Sequence, residues 1–205
     1  MPEQPAAGLR PSEVLGKVLG DVLGDVLGDM GETMGENRAI EVETASSMKT
    51  LHALSVLDGM LAICAAPGWR GNYQADLDDI HVWRPGLVVS MTTDAEHVEF
   101  GSPHLGSDIQ SLGSRWIHLP IWKDTVPSPD VSALWPDASA QMRQALSGGG
   151  RVLMHCRRGC GRSGMMALRL MIECGEAPEQ ALSRLRALRP CAVHTGAQLQ
   201  WAYTG

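Results

Sequence analysis

The 205-residue chain has no apolar run long enough to span a bilayer and no secretory h-region near its start. Its five cysteines (Cys64, Cys156, Cys160, Cys174 and Cys191) include no C-x2-C pair. Its seven histidines show neither H-x3-H nor H-E-x-x-H spacing, so neither a metal nor another cofactor is expected. An odd cysteine count without a signal segment predicts free thiols in a reducing, cytosolic compartment. Aromatics are few, with one phenylalanine and two tyrosines, and the six tryptophans are not interleaved with basic residues. That excludes a stacking platform for nucleic acid. With no membrane or nucleic-acid partner indicated, the chain reads as a soluble domain with an extension.

What is present is unevenly distributed. The net charge of -6 divides into nine acids against four bases over residues 1–50 and eight against two over 51–114. Over 115–205 it reverses, to six acids against eleven bases. The C-terminal half therefore suits an anionic substrate. Within residues 1–45, a four-residue repeat runs from Val14 through successive Val-Leu-Gly-Asp units to Asn37. Glycine at every fourth place costs a helix about 1 kcal/mol per position relative to alanine, and acids at the same period repel. The favoured reading is a low-complexity, disordered extension. The alternative is a partner-binding segment that folds as an amphipathic helix on contact.

Residues 46–205 have globular texture. Met60–Cys64, Leu87–Met91, Arg115–Leu119 and Val152–His155 read as short buried strands. Between and after them, helical spacing covers residues 74–83, 107–112, 134–146, 163–174, 178–188 and 195–203. Alternating strands and helices predict an α/β domain with a central, mostly parallel sheet flanked by helices. Ligands in such sheets sit at the carboxyl ends of the strands, where Cys156 falls.

The chemistry concentrates in Val152-Leu-Met-His-Cys156-Arg-Arg-Gly-Cys-Gly-Arg162-Ser-Gly164. A phosphate monoester needs its dianion held, a nucleophile in line with phosphorus, and a proton for the leaving oxygen. A loop of backbone N–H groups running into a helix N-terminus holds the dianion. Arg157, Arg158, Gly159, Cys160, Gly161 and Arg162 can supply that loop. Gly159 and Gly161 permit its tight curvature. Arg162, six residues after Cys156, can reach back bidentately to the phosphoryl oxygens. The positive field also favours the nucleophilic thiolate of Cys156. Ser163 can donate to the departing sulfur, and His155 can orient the loop. The side chains of Arg157 and Arg158 are read as facing solvent, and Cys160 as a small packed thiol.

These residues match the H-C-x5-R-[ST]-G signature of cysteine-dependent protein phosphatases. Five specified positions at fixed spacing arise by chance on the order of 10⁻⁵ per chain of this length, which sets the motif well above an ordinary glycine turn. Leu61–Gly68, the strand at Val88, His118-Leu-Pro-Ile121 and Arg189–Thr195 extend the match. Over residues 51–203 the chain resembles the dual-specificity branch, in particular its kinase-associated phosphatase group. The resemblance implies a phosphorylated protein substrate and a phosphocysteine intermediate. It also implies a shallow pocket, because the long tyrosine-recognition segment of the large relatives is not recognisable.

The proton donor should be a carboxylic acid on an upstream loop. Trp135-Pro-Asp137 spells the tripeptide that carries the acid in the large relatives, yet Pro136 and Asp137 suit the early part of a helix. Asp130, within Ser128-Pro-Asp130, suits a helix N-cap. Asp124 follows the strand and the His118-Leu-Pro-Ile121 motif directly, at the spacing the resemblance implies, and is the expected acid and base. A glutamine that positions water in the large relatives has no clear counterpart. His194 stands at that place, and Gln198 fits a later glutamine.

Overall fold

A computed structural model describes residues 51–204, so the repeat of the N-terminal extension lies outside the described residues. The chain order is β1 (His52–Val56), β2 (Gly59–Ala65), α1 (Tyr73–Trp83), β3 (Leu87–Ser90), α2 (Asp94–Glu99), α3 (Leu105–Ser111) and β4 (Arg115–His118). It continues with α4 (Pro129–Ser147), β5 (Arg151–Cys156), α5 (Gly161–Glu173), α6 (Pro178–Leu188) and α7 (Gly196–Thr204). The strands form one sheet in the order β1-β2-β5-β3-β4. Only β1 is antiparallel, paired to β2 across the short Leu57-Asp58 turn; β2, β5, β3 and β4 run parallel. The α/β class and the mostly parallel sheet read from the sequence are the observed ones. No described helix is long and apolar enough to cross a membrane.

Strand periodicity explains the two cores. Successive residues of a strand face opposite sides of the sheet. Leu61, Ile63, Val152, Met154, Leu87 and Val89 accordingly pack with α4, α5 and α6 residues such as Met142, Leu168 and Leu185. Ala62, Val88 and Leu153 face the other way, against Leu77 and Ile80 of α1 and Leu105 and Ile109 of α3. Central strands covered on both faces read as continuous apolar runs, which is why β2, β3 and β5 were recognisable.

Two elements escape the sequence reading. Strand β1 (HALSV) is short and partly exposed, with only its last residue buried. Helix α2 has six residues, and its start is fixed by a capping box between Thr93 and Glu96 rather than by apolar periodicity. Helix α4 starts earlier than expected, with Ser128 as N-cap and Pro129 in its first turn, so Asp130 is a first-turn acid and not the cap.

Candidate active site

Strand β5 ends at Cys156, and α5 begins at Gly161, so the motif's loop bridges a strand end and a helix N-terminus as expected. Two close approaches set its path. A Cβ on Gly159, which lies at φ +64°, would collide with the Cys64 carbonyl at the end of β2. A Cβ on Gly164 would press on the backbone of Ala192 and Val193, which brings the α6–α7 connection against the start of α5.

The loop's carbonyls are taken up on its outer side. Arg189 donates from Nε to the Gly159 carbonyl (3.1 Å) and from Nη2 to that of Arg158 (3.0 Å). The Arg157 carbonyl accepts from Ala66 N–H, and that of Cys156 from Gly159 N–H. Among the described residues, no backbone acceptor takes the N–H groups of Arg157, Arg158, Cys160, Gly161 or Arg162. A loop whose carbonyls are taken up and whose five other amides are unspent is an anion cradle, strengthened by the helix dipole behind it.

Cys156 is buried at the base of this loop, with Ser163 Oγ 3.3 Å from its sulfur. Arg162 is only 4% exposed. Its Nη1 donates to the Met91 and Ile121 carbonyls (3.2 and 2.8 Å) and to Glu96 Oε2 (2.6 Å), and Nη2 donates to Glu96 Oε1 (2.8 Å). Burial opposes charge on Arg162, but Glu96 and the adjacent Cys156 sulfur outweigh it and raise its pKa. Burial likewise opposes the Glu96 carboxylate, and Arg162 with the Thr93 amide holds it below its ordinary value. Glu96 is the main site residue that sequence reasoning missed. Its only local signal, Thr93 with Glu three residues later, reads as a helix cap, and its partner lies 66 residues away.

His155 is fully buried, with Nε2 on Ser90 Oγ; that hydroxyl also accepts from Trp116 Nε1 (2.8 Å). Burial first, then the neighbouring His97, His118 and Arg162, pushes its pKa down to about 3, so the ring is neutral at physiological pH. It is a fixed polar strut under the loop, in keeping with an orienting role.

Two side-chain expectations are corrected. Cys160 and Cys191 form a disulfide, so neither is a free thiol; Cys64, Cys156 and Cys174 are free. Arg189 brings the two sulfurs together by anchoring the loop beside residues 189–191. Arg157 does not face solvent alone: it forms a two-pronged pair with Glu99 (2.7 and 3.1 Å) and lies over the Phe100 ring. Arg158 is exposed and sits over Trp69.

Asp124 lies on the loop after β4, three residues beyond Ile121, whose carbonyl holds Arg162. Its backbone is left-handed (φ 60°) and its side chain 47% exposed. His194 Nδ1 stands 3.1 Å from Asp124 Oδ1, and Lys123 Nζ 3.6 Å from Oδ2. The His194 hydrogen bond, with Lys123 adding to it, keeps the Asp124 carboxyl below the usual carboxylate range. Asp137 is exposed on α4, two residues after Trp135, whose ring N–H bonds Glu173 at the far end of α5. Glu173 is eleven residues beyond Arg162, or about 16 Å along the helix. The structure therefore gathers Cys156, Arg162, Ser163 and His155, sets Asp124 three residues beyond the Ile121 carbonyl that holds Arg162, and leaves Asp130 and Asp137 exposed on α4.

Comparison with known proteins agrees with this geometry. The family model for protein-tyrosine phosphatases matches residues 90–205. Cyclin-dependent kinase inhibitor 3 of Mus musculus is 29% identical over 135 residues, and the protein of that name from Rattus norvegicus 28% over 136. Each match spans 63% of this chain and 63% of the relative. Among solved structures, kinase associated phosphatase with its catalytic-site cysteine replaced by serine superposes with a TM-score of 0.67 at 24% identity. That match covers 75% of this chain and 92% of the other. The active form of Tk-PTP gives 0.59 at 27% identity, covering 74% and 94%. With the matched model spanning more than half of its length, this chain belongs to the protein-tyrosine phosphatase family.

Proposed function

We propose that the chain is a phosphoprotein phosphatase working through a phosphocysteine on Cys156. The observation that carries this reading is the Cys156 sulfur at the floor of an amide-lined loop, with Ser163 Oγ at 3.3 Å and the buried Arg162 guanidinium beside it. The loop amides and the free face of Arg162 hold the phosphoryl dianion. The Cys156 thiolate attacks phosphorus in line, the P–O ester bond breaks, and Asp124 gives its proton to the leaving oxygen. Water then attacks phosphorus, Asp124 takes the water's proton, and the S–P bond breaks as Ser163 donates a hydrogen bond to the sulfur. Inorganic phosphate leaves, and the Cys156 thiolate returns.

A protein substrate is favoured over an inositide by how the loop's arginines are used. Of the two loop arginines that an additional phosphate could meet, Arg157 and Arg158, the first is already paired with Glu99. The names of the similar proteins, kinase associated phosphatase and cyclin-dependent kinase inhibitor 3, point to phosphorylated protein partners for those proteins. By likeness, this chain acts on phosphotyrosine and on phosphoserine or phosphothreonine in proteins.

A panel of phosphopeptides, inositides and nucleotides, assayed without added metal, tests the reading. Phosphopeptides should be hydrolysed with the highest kcat/KM, and Cys156→Ser should abolish turnover of all substrates. Preferential hydrolysis of an inositide would overturn the substrate class. Activity retained in Cys156→Ser would overturn the nucleophile.

A further inference from the structure

The connection between α6 and α7 carries a residue the mechanism above does not use. His194 is 60% exposed, yet its position is fixed from several sides. Its backbone N–H donates to Gln198 Oε1 (2.9 Å), and the fully buried Gln198 donates from Nε2 to the Thr125 carbonyl (3.1 Å), one residue beyond Asp124. Its Cβ packs against Gly161 of the anion loop. The preceding Val193 is held in the left-handed region (φ 61°), which a β-branched residue avoids. Arg186 binds the Ala192 and Val193 carbonyls (3.2 and 3.3 Å), fixing that strained turn. Strain of this kind persists only where surrounding contacts over-determine it, and it clusters at working sites. The turn delivers His194 Nδ1 to Asp124 Oδ1 at 3.1 Å, while Asp124 is itself left-handed.

We propose that His194 is a positioning residue for the general acid and base. This rests on the assignment of Asp124. With Nδ1 protonated, His194 donates to Oδ1 and occupies that oxygen. The transferable proton of Asp124 then resides on Oδ2, and the carboxyl is held in one orientation on an otherwise exposed loop. In the second step the same bond keeps the carboxylate oriented for the attacking water. Lys123 Nζ, 3.6 Å from Oδ2, also faces this carboxyl.

Steady-state kinetics of the full chain with two substrates test the idea. A phosphotyrosyl peptide needs its leaving oxygen protonated, whereas para-nitrophenyl phosphate releases a phenolate that needs little help. At the pH of maximal activity, His194→Ala should lower kcat/KM on the peptide, which reports steps through the first phosphoryl transfer, by about tenfold, part of the usual general-acid contribution. The loss on the nitrophenyl ester should be several-fold smaller, with KM little changed on either substrate. His194→Asn, which retains an N–H donor, should recover most of the loss. In an Asp124→Asn background, His194→Ala should cost nothing further. Equal losses on the two substrates, or additive losses in the double variant, would overturn the positioning role. If Asp124→Asn alone treats the two substrates alike, the acid assignment itself fails, and the positioning role fails with it.

Discussion

The two loops that meet at this site are built on opposite principles. The anion loop is buried and over-determined: its carbonyls go to Arg189, Ala66 and Gly159, its arginine to Glu96 and two backbone carbonyls, and Cys160 is cross-linked to Cys191. The proposed acid loop is exposed, and among the described residues its carboxyl is held by His194 and Lys123. The contrast suits the chemistry proposed for each. Stabilising charge on a transferring phosphoryl group is worth most when donors are fixed before the reaction and water is excluded. A proton donor that gives its proton to the leaving oxygen and regains one from the attacking water needs a loop that admits water, and full burial would oppose its charged state.

The largest effect should come from loosening the rigid side of the comparison. Arg162 and Glu96 form a buried ion pair, 4% and 12% exposed at their side chains. Removing one partner of such a pair leaves an uncompensated charge and costs about 3–5 kcal/mol. Glu96→Ala should lower unfolding stability by that amount in a urea titration and reduce activity on every substrate alike. Glu96→Gln, which retains an acceptor of the same shape, should lose less. An unchanged denaturation midpoint in Glu96→Ala would show that the two carbonyls suffice to hold Arg162.

A smaller loss is expected from the cross-link. Cys160 and Cys191 close a loop of 31 residues, which on chain-entropy grounds stabilises the fold by about 2–4 kcal/mol. Cys191→Ala, or mild reduction of the wild type, should lower the melting temperature. Cys64→Ala, with the disulfide left oxidised, should report only the loss of a buried thiol. Because Arg189 still binds the loop carbonyls, catalytic activity below the melting temperature should largely survive. Collapse of activity without loss of stability would mean that the disulfide, not Arg189, shapes the anion loop.

What the sequence disclosed divides along similar lines. Features encoded by contiguous residues were legible: apolar strands β2, β3 and β5, helix α6 over 178–188, and the loop from His155 to Gly164. The resemblance put the proposed acid, Asp124, on the loop after the strand that ends at His118, and the residue lies there, whereas the competing tripeptide at Asp137 falls within α4. Features that depend on which distant residues meet were not. Glu96 advertises only a cap, and Cys160 and Cys191 pair where Arg189 joins two loops distant in sequence. A short edge strand such as β1, paired on one side, carries too little apolar patterning to stand out.

The subtlest expectation concerns the exposed side of the comparison and is read from pH. Asp124 must carry a proton to serve as acid in the first step, so kcat/KM on a phosphotyrosyl peptide should fall as pH rises through its pKa. That pKa is held below the ordinary carboxylate value, first by the His194 hydrogen bond and then by Lys123. The descending limb set by Asp124 should therefore begin on the acid side of an ordinary carboxylate's. Removing the bond relaxes the pKa upward, so in His194→Ala the limb should move to higher pH while the maximal rate drops. Lys123→Met, which removes the weaker contribution, should move it less and in the same direction. A limb that stays fixed in both variants would place its controlling group elsewhere, and a shift to lower pH in His194→Ala would contradict the sign that the 3.1 Å contact requires.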